Sequence, residues 1–556
     1  MSALPHLPED PERGDWDVVV VGTGMGGATL GWALARLGRR VLFLERGLFV
    51  QRDDRAERSS VADPDNRPEA RLRRGRWPDP IRAVTSFGEA DFFAPLGCGS
   101  GGSSLIYAAA LERLSPDDFR PKASHPEAGA STLPEAWPVS YEEMEPFYRQ
   151  AEDLYRIRGT RDPLNPFATG PLREPPPLSE RDQQVFDLFV RAGLHPYRVP
   201  VGCEFVGGCD GCGGVLCLRH CKSDAGSVCL VPALEQFGAK LLPECEVSGL
   251  EADASAVTRI HCTWKGRPLA IAARVVVLAA GALSTPILLL NSRNGHWPQG
   301  LANRSGLVGR NLMFHTSDMI AVRPDRSGSA VGPHKSLALN DFYSLEGKKL
   351  GTLQSVGLPV TPGIVLGYLR SLVDQDPVWW RKLTRPFLRI VAYVSAFYFR
   401  NAVMFASIVE DLPYWENRVL PESGAKIGVR FEYRYPEELR ERNRLLRHEL
   451  RKRLGRRRVV VLSGENNLNY GHSCGTCRFG DDPSASVLDR NNRSHELGNL
   501  YVVDASFFPS SGGTNPSLTI AANALRVAEE IDRRLARTPD ASRTPGGPGR
   551  PGPELR

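Results

Sequence analysis

At 556 residues the chain is long enough for two or more domains with well-buried cores. Its 41% hydrophobic and 24% charged residues are ordinary for a globular protein. A formal charge of only +6 is too dilute to argue for nucleic acid, and the basic runs Arg451–Arg453 and Arg456–Arg458 read as solvated faces.

In chain order, residues 1–15 are polar and proline-bearing, so no export signal is expected. Asp15–Val21 (DWDVVVV) reads as a buried strand, Gly22–Gly27 (GTGMGG) as a tight loop, and Ala28–Leu37 as a helix. Arg40–Leu44 is a second strand, ending at Glu45. Residues Val50 to Arg82 are polar and read as loop. Leu96–Leu114 carries a second glycine cluster, expected to lead into a helix. Tyr141–Tyr155 and Glu180–Ala192 follow as helices, then a cysteine-rich segment. Leu230–Gly238 reads as a helix, and Arg274–Ala280 into Ser284–Leu290 as a strand–helix pair. Residues 316–461 form a separate stretch of mixed strands and helices, and the tail 537–556 is expected to be disordered. The most hydrophobic late run, Ile390–Phe399, falls short of the roughly 20 apolar residues of a spanning helix, and a soluble cytoplasmic protein is the expectation. The surrounding stretch Trp379–Phe405 could line an apolar channel or touch a membrane surface, with core packing the favoured reading.

The first glycine loop carries a nucleotide-binding signature. Gly22 allows the turn out of the strand, Gly24 lets backbone approach a pyrophosphate, and Gly27 permits close helix–strand packing. The helix start then offers free N–H groups to the negative charge. Glu45, eighteen residues past Gly27, stands where a carboxylate can accept ribose hydroxyls. The same spelling recurs at Gly97–Gly102, without a valine-rich strand before it. It is read as a loop on the same cofactor rather than as a site for a second nucleotide.

Several further segments complete a pattern. They are GCGSGGSSLIY (Gly97–Tyr107), VVVLAAGALSTPILLLNS (Val275–Ser292), GLVGRNLMFH (Gly306–His315), HSCGTCRFG (His472–Gly480) and NLYVVDASFFPSSGGTNPSLTIAA (Asn499–Ala522). In this order, across nearly the whole chain, they resemble the glucose–methanol–choline (GMC) oxidoreductases. The resemblance implies an α/β fold with a discontinuous Rossmann-like FAD-binding domain (15–120, 225–315 and 462–536). It also implies connecting helices at 121–224 and a mixed-sheet substrate-binding domain at 316–461. Residue by residue, it assigns Gly22, Gly24, Gly27 and Glu45 to the adenosine half, Val247 to the adenine, Ser103 and Ser104 to the flavin surroundings, and Asp504 and Ala505 to the pyrophosphate and ribityl chain. Some family members attach FAD through a histidine near the second loop. No histidine lies between Leu7 and Ser124 here, so non-covalent FAD is expected.

An alcohol surrenders hydride readily only as its hydroxyl proton leaves. A histidine, with an ordinary pKa near 6.5, suits that base role at neutral pH. By the resemblance, His472 holds the family's catalytic position and Asn515 the second site. Asn515 cannot act as a base and is expected to hydrogen-bond the substrate oxygen. His315 and His495 are lesser candidates, and Asp341 and Tyr343 cannot be placed.

Six of the eleven cysteines (Cys203, Cys209, Cys212, Cys217, Cys221 and Cys229) crowd one segment. The spacing of Cys209, Cys212, Cys217 and Cys221 is compatible with thiolates converging on one centre. A related run in bacterial FAD glucose dehydrogenases carries an iron–sulfur cluster, although the proline after its last cysteine is missing here. An iron–sulfur cluster, a zinc site and a metal-free loop all stay open. The functional expectation is alcohol oxidation by hydride transfer to FAD, of a sugar, polyol or sugar-containing natural product, with oxygen or an external electron acceptor closing the cycle. A hydrophobic alcohol or sterol, a non-redox lyase and an electron-transfer module are the alternatives.

Overall fold

The computed structural model describes residues 6–537, apart from 51–64, 166–169, 171, 210, 377, 423–427 and 466. The expected disordered tail lies outside the described residues beyond Arg537.

The valine run Val18–Val21 is buried on every residue, as a strand covered on both faces must be. It is the centre of a five-stranded sheet ordered Leu500–Val502, Val275–Leu278, Val18–Val21, Val41–Glu45, Lys240–Pro243. Every pairing in it is parallel, with Val18 opposite both Val41 and Val275. The strands come from three distant parts of the chain, so the domain is discontinuous, as expected. The helix Met25–Arg36 follows the first glycine turn and packs on the long C-terminal helix Ser517–Arg537. A three-stranded antiparallel meander, Cys245–Ala252, Val257–Trp264 and Arg267–Ile271, flanks this layer. Each fully buried Val or Leu here contributes about 1.5–3 kcal/mol.

An eight-stranded sheet stands at the other end. Its main path runs Val459–Val461, Met319–Val322, Val403–Val409, Gly351–Ser355, Leu337–Leu339, Tyr197–Arg198, and Met313–Thr316 joins Val403–Val409 to Leu468–Cys474. All of these pairs are antiparallel. Mixed pairing occurs in a four-stranded sheet, where Val429–Tyr433 runs parallel to Ile81–Thr85 and antiparallel to Arg418–Pro421.

Four local expectations need correction. No α-helix follows the second glycine cluster; there is one 3-10 turn, Gly102–Leu105. Gly99, Gly101 and Gly102 all adopt positive φ (138°, 123° and 55°), which breaks helical propagation. Within the supposed loop Val50–Arg82, Pro68–Arg73 is a short helix started by its proline, and Ile81 begins a strand. The helix at Leu230–Gly238 is a π-helical turn, Gly226–Leu230, running into Val231–Glu235. Finally, Trp379–Phe405 is not simply core. Helix Leu388–Phe399 buries only Leu388, Ala392 and Ala396, while Ile390, Tyr393, Val394 and Phe397 are 64–69% exposed. The apolar run offered two faces, and the fold buries the one with small side chains.

Candidate active site

A single cavity of about 430 Å³ runs between the two sheets, from the first glycine loop to His472 and Asn515. At its nucleotide end the walls are mainly backbone. Gly22 has φ +96°, and a Cβ there would lie 2.5 Å from the Ala279 carbonyl oxygen. A Cβ on Gly27 would lie 2.2 Å from the Gly22 oxygen, so this glycine sets the helix–strand contact rather than the cavity surface. At Gly24 a Cβ would meet only the Gly102 Cα at 4.0 Å, whereas a Cβ on Gly102 would lie 2.7 Å from the Gly24 Cα, so the two loops touch there backbone to backbone. Helix Met25–Arg36 begins there with no side-chain cap and no acid in its first turn, leaving its N–H groups for an anion. Gly26 was not singled out in the sequence, yet it is just as constrained: a Cβ would sit 2.0 Å from the Val503 oxygen.

Glu45 ties the two loops together. Its Oε2 accepts from the Thr23 N–H (3.0 Å) and hydroxyl (2.5 Å), and its Oε1 accepts from the Gly47 and Gly99 N–H groups (2.8 and 3.2 Å). Burial pushes its carboxyl up, against these hydrogen bonds. The second glycine loop therefore folds onto the first, as the single-cofactor reading requires. Ser103 and Ser104 line the cavity, and Ser104 Oγ accepts from the Ala225 N–H at 2.9 Å. Val247, from the meander, lines it too. Asp504 and Ala505 close the floor, with Asp504 Oδ2 accepting from the Gly281 N–H (2.9 Å) and Thr285 hydroxyl (2.5 Å). The bare backbone at Gly24, the uncapped helix start and the acid between the loops fit an adenine dinucleotide. Gly22, Gly24, Glu45, Val247, Ser103, Ser104, Asp504 and Ala505 would hold it, with Gly27 acting from behind.

At the far end the walls are side chains. His472 stands on strand Leu468–Cys474, and its neighbour strand Met313–Thr316 supplies His315. The two rings are perpendicular, with Nδ1 to Nδ1 at 3.0 Å. His315 Nε2 lies 2.9 Å from the Gly512 carbonyl oxygen, which can only accept, so Nε2 carries the hydrogen. Burial pushes the His315 pKa down to about 4, so the ring is neutral and its Nδ1 is an acceptor. His472 must then donate from Nδ1, which leaves its Nε2 bare. His472 opens onto the cavity yet lies deep enough that burial holds its pKa well below 6.5, helped by His315 and Lys335. The arrangement leaves one imidazole nitrogen of the neutral pair able to accept a proton. His495 instead bonds the Ser486 hydroxyl at 2.9 Å, outside the cavity lining.

Asn515 also faces the cavity, and its Nδ2 donates to Gln354 Oε1 at 2.8 Å. Lys335 Nζ donates to the same oxygen at 3.0 Å, and Gln354 Nε2 donates to Glu112. Glu112 further accepts from the hydroxyls of Tyr197 (2.5 Å) and Thr514 (3.2 Å), and burial pushes its carboxyl up to about 7. This relay fixes the Asn515 amide and leaves its second N–H to donate. Lys335, Gln354 and Glu112 escaped the sequence reading because each sits in an ordinary strand or loop segment with no motif around it. Of the two unplaced residues, Tyr343 bonds Asp118 Oδ2 and the Gly513 N–H, and Asp341 pairs with His195.

The cysteine segment packs directly behind the second glycine loop. Sγ atoms of Cys203, Cys209 and Cys221 lie within 4.8 Å of one another, Cys209 and Cys221 at 3.2 Å, with Cys217 at 3.4 Å from Cys221. Cys212 reaches the group through Cys217. Cys203 was not among the expected ligands; the backbone bridge between it and Lys222 brings it in. Hydrogen bonds from Cys203 and Cys221 favour thiolate at Cys209. Lys222 Nζ donates to the carbonyls of Leu105 (2.8 Å), Tyr107 (3.2 Å), Cys212 (3.0 Å) and Val215 (2.8 Å), pinning the segment to the cavity wall. Cys229 stands apart, beside Tyr155 and Thr29.

Two family models described as GMC oxidoreductase, N-terminal and C-terminal, match residues 17–317 and 451–524. The chain is 29% identical to paromamine 6'-oxidase of Streptomyces fradiae, covering 93% of this chain and 91% of that protein. It is also 29% identical to 2-methyl-1,2-propanediol dehydrogenase of Mycolicibacterium austroafricanum, covering 96% and 98%. Fructose dehydrogenase large subunit of Gluconobacter japonicus matches at 26%, covering 93% and 97%. Among solved structures, pyridoxine 4-oxidase from Mesorbium loti shares the fold at TM-score 0.63 and 20% identity, over 93% of this chain and 99% of that one. With the parallel sheet, the paired loops and these matches in hand, the chain belongs to the GMC oxidoreductase family of FAD flavoproteins.

Proposed function

We propose that the protein oxidises a CH–OH group of a polyhydroxylated substrate, a sugar, aminosugar or polyol, with non-covalently held FAD. The supporting observation is the histidine pair: Gly512 O, His315 and His472 form a one-way chain that ends on a bare Nε2 at the cavity. FAD, when bound, supplies the hydride acceptor. His472 Nε2 takes the hydroxyl proton, and the His472 Nδ1–H bond to His315 keeps the resulting imidazolium in place. Asn515 holds the substrate oxygen as charge grows on it. Lys335 and Gln354 line the cavity beside Asn515 and make its wall polar there, which favours a polyol over a sterol. Relatives named for paromamine and a propanediol agree with that preference. The test is an anaerobic screen of sugars, aminosugars, diols and sterols against the flavin's visible absorbance. Bleaching by sterols alone, or by none of these, would sink the reading.

A second reading concerns the fate of the electrons. The soft donors Cys203, Cys209, Cys217 and Cys221, with Cys212 close by, suit an iron–sulfur cluster or zinc. They lie behind Ala108 and Ala109, which line both the main cavity and a small one touching Cys203 and Cys212. A redox centre there favours a dehydrogenase with an external acceptor over an oxidase. Iron and zinc analysis of anaerobically purified protein separates the cases; absence of both removes a metal from this segment.

A further inference from the structure

Strands Gly351–Ser355 and Val403–Val409 are antiparallel neighbours, with Ser355 opposite Phe405. Such neighbours are ordinarily joined by a few residues. Here the connection is a helical excursion: Pro362–Gln375, the 3-10 segment Trp379–Phe387, and Leu388–Phe399. It springs from beside the cavity, since Val356, at its first root, lines the cavity, and so does Ala406 in the strand to which it returns.

Its amphipathicity is inverted. Positions 388, 392 and 396 recur at helical spacing and are buried, but they are Leu, Ala and Ala. The opposite face, 390, 393, 394 and 397, carries the large side chains and leaves them exposed, continuous with Leu383 (68%) and Phe387 (64%). The helix Pro362–Gln375 buries no residue at all. A contiguous exposed apolar face of this kind marks an interaction surface.

We infer that this excursion is a membrane-docking element, laying the Leu383–Phe397 face into an anionic lipid surface and turning the cavity rim toward the bilayer. Charge selects this occupant. Apart from Arg381, residues 362–400 hold five basic residues (Arg370, Lys382, Arg385, Arg389, Arg400) against two acids, Asp374 and Asp376, and Arg385 pairs with Asp374, which leaves four cations against one acid. An isologous contact with a second copy would set this cationic rim against itself, whereas anionic headgroups meet it with opposite charge. The exposed Tyr393 and Tyr398 put phenol rings at the rim, an amphipathic body suited to the lipid–water boundary. Among the described residues no helix is long and apolar enough to cross a membrane, so the element lies on the surface rather than through it.

The test is flotation of the FAD-loaded protein with vesicles of phosphatidylcholine alone and of phosphatidylcholine with phosphatidylglycerol. The protein is expected to float with the anionic vesicles, and added salt should weaken binding. The triple variant Ile390→Ser, Val394→Ser, Phe397→Ser changes only exposed positions. It should lose roughly tenfold or more in vesicle partitioning. Its flavin content and alcohol-driven flavin bleaching in vesicle-free buffer should match the parent, a readout independent of docking and of which alcohol is the substrate. Failure of the parent to float overturns the inference, and so does equal flotation of the variant. A parent dimer that the triple variant dissolves assigns the face to a second copy and overturns it as well.

Discussion

The two ends of one cavity are built by different means. At the nucleotide end, Gly22, Gly24 and Gly26 shape the wall by lacking side chains, with Gly27 setting the helix–strand contact behind them, and the groups left for the ligand are backbone N–H. At the catalytic end, His472, His315 and Asn515 are positioned by hydrogen bonds between segments far apart in the chain. Backbone sites tolerate few residue types, whereas side-chain sites depend on partners. The first kind should fail through binding and stability, the second through chemistry with binding intact.

His472→Ala tests this most severely. It should keep FAD while flavin reduction by substrate falls by about 10²–10⁴-fold; single-turnover reduction at the parental rate would remove the assigned base. Asn515→Ala should cost roughly 10²–10³-fold in the same measurement, as for loss of one oxyanion donor. His315→Phe leaves His472 without its Nδ1 acceptor, and misorientation of the ring should cost roughly 10²-fold. A positioning role predicts that the loss falls on kcat more than KM, with an altered pH profile.

The pH dependence sharpens the same contrast. His472 and His315 are held below their ordinary 6.5, the latter at about 4. The unfolded chain therefore binds protons first as pH falls. Stability from the neutral pair is complete above about 6.5 and lost progressively toward about 4. Since His472 is still neutral at pH 7, an acid limb in flavin reduction near 7 belongs to Glu112, and Glu112→Gln should abolish it. Smallest in its effect on chemistry, and opposite in kind, is Gly27→Ala. A methyl group 2.2 Å from the Gly22 oxygen should destabilise the fold by about 1–3 kcal/mol and lower FAD occupancy, read by thermal melting and the flavin-to-protein absorbance ratio.

The two glycine-rich loops show how far local spelling goes. Gly22–Gly27 and Gly97–Gly102 share one pattern, but only the first lies between a buried valine strand and a helix. The flanks, readable in sequence, separated the two, while the absence of a helix after the second came from three positive-φ glycines. His315 illustrates the opposite limit. Its importance rests on a neighbour 157 residues away and on a carbonyl 197 residues away, and no local pattern encodes either.

By itself, then, the sequence determined the dinucleotide unit, because that depends on short-range periodicity and on where a side chain cannot be tolerated, while the discontinuous α/β architecture was legible through the resemblance of segments spread along the chain. Only the tertiary structure decided which tautomer His472 adopts, that Lys335, Gln354 and Glu112 orient Asn515, that Cys203 joins the other thiols, and which face of Leu388–Phe399 meets solvent. Each of these depends on contacts between segments remote in the chain, and composition and spacing do not specify such contacts.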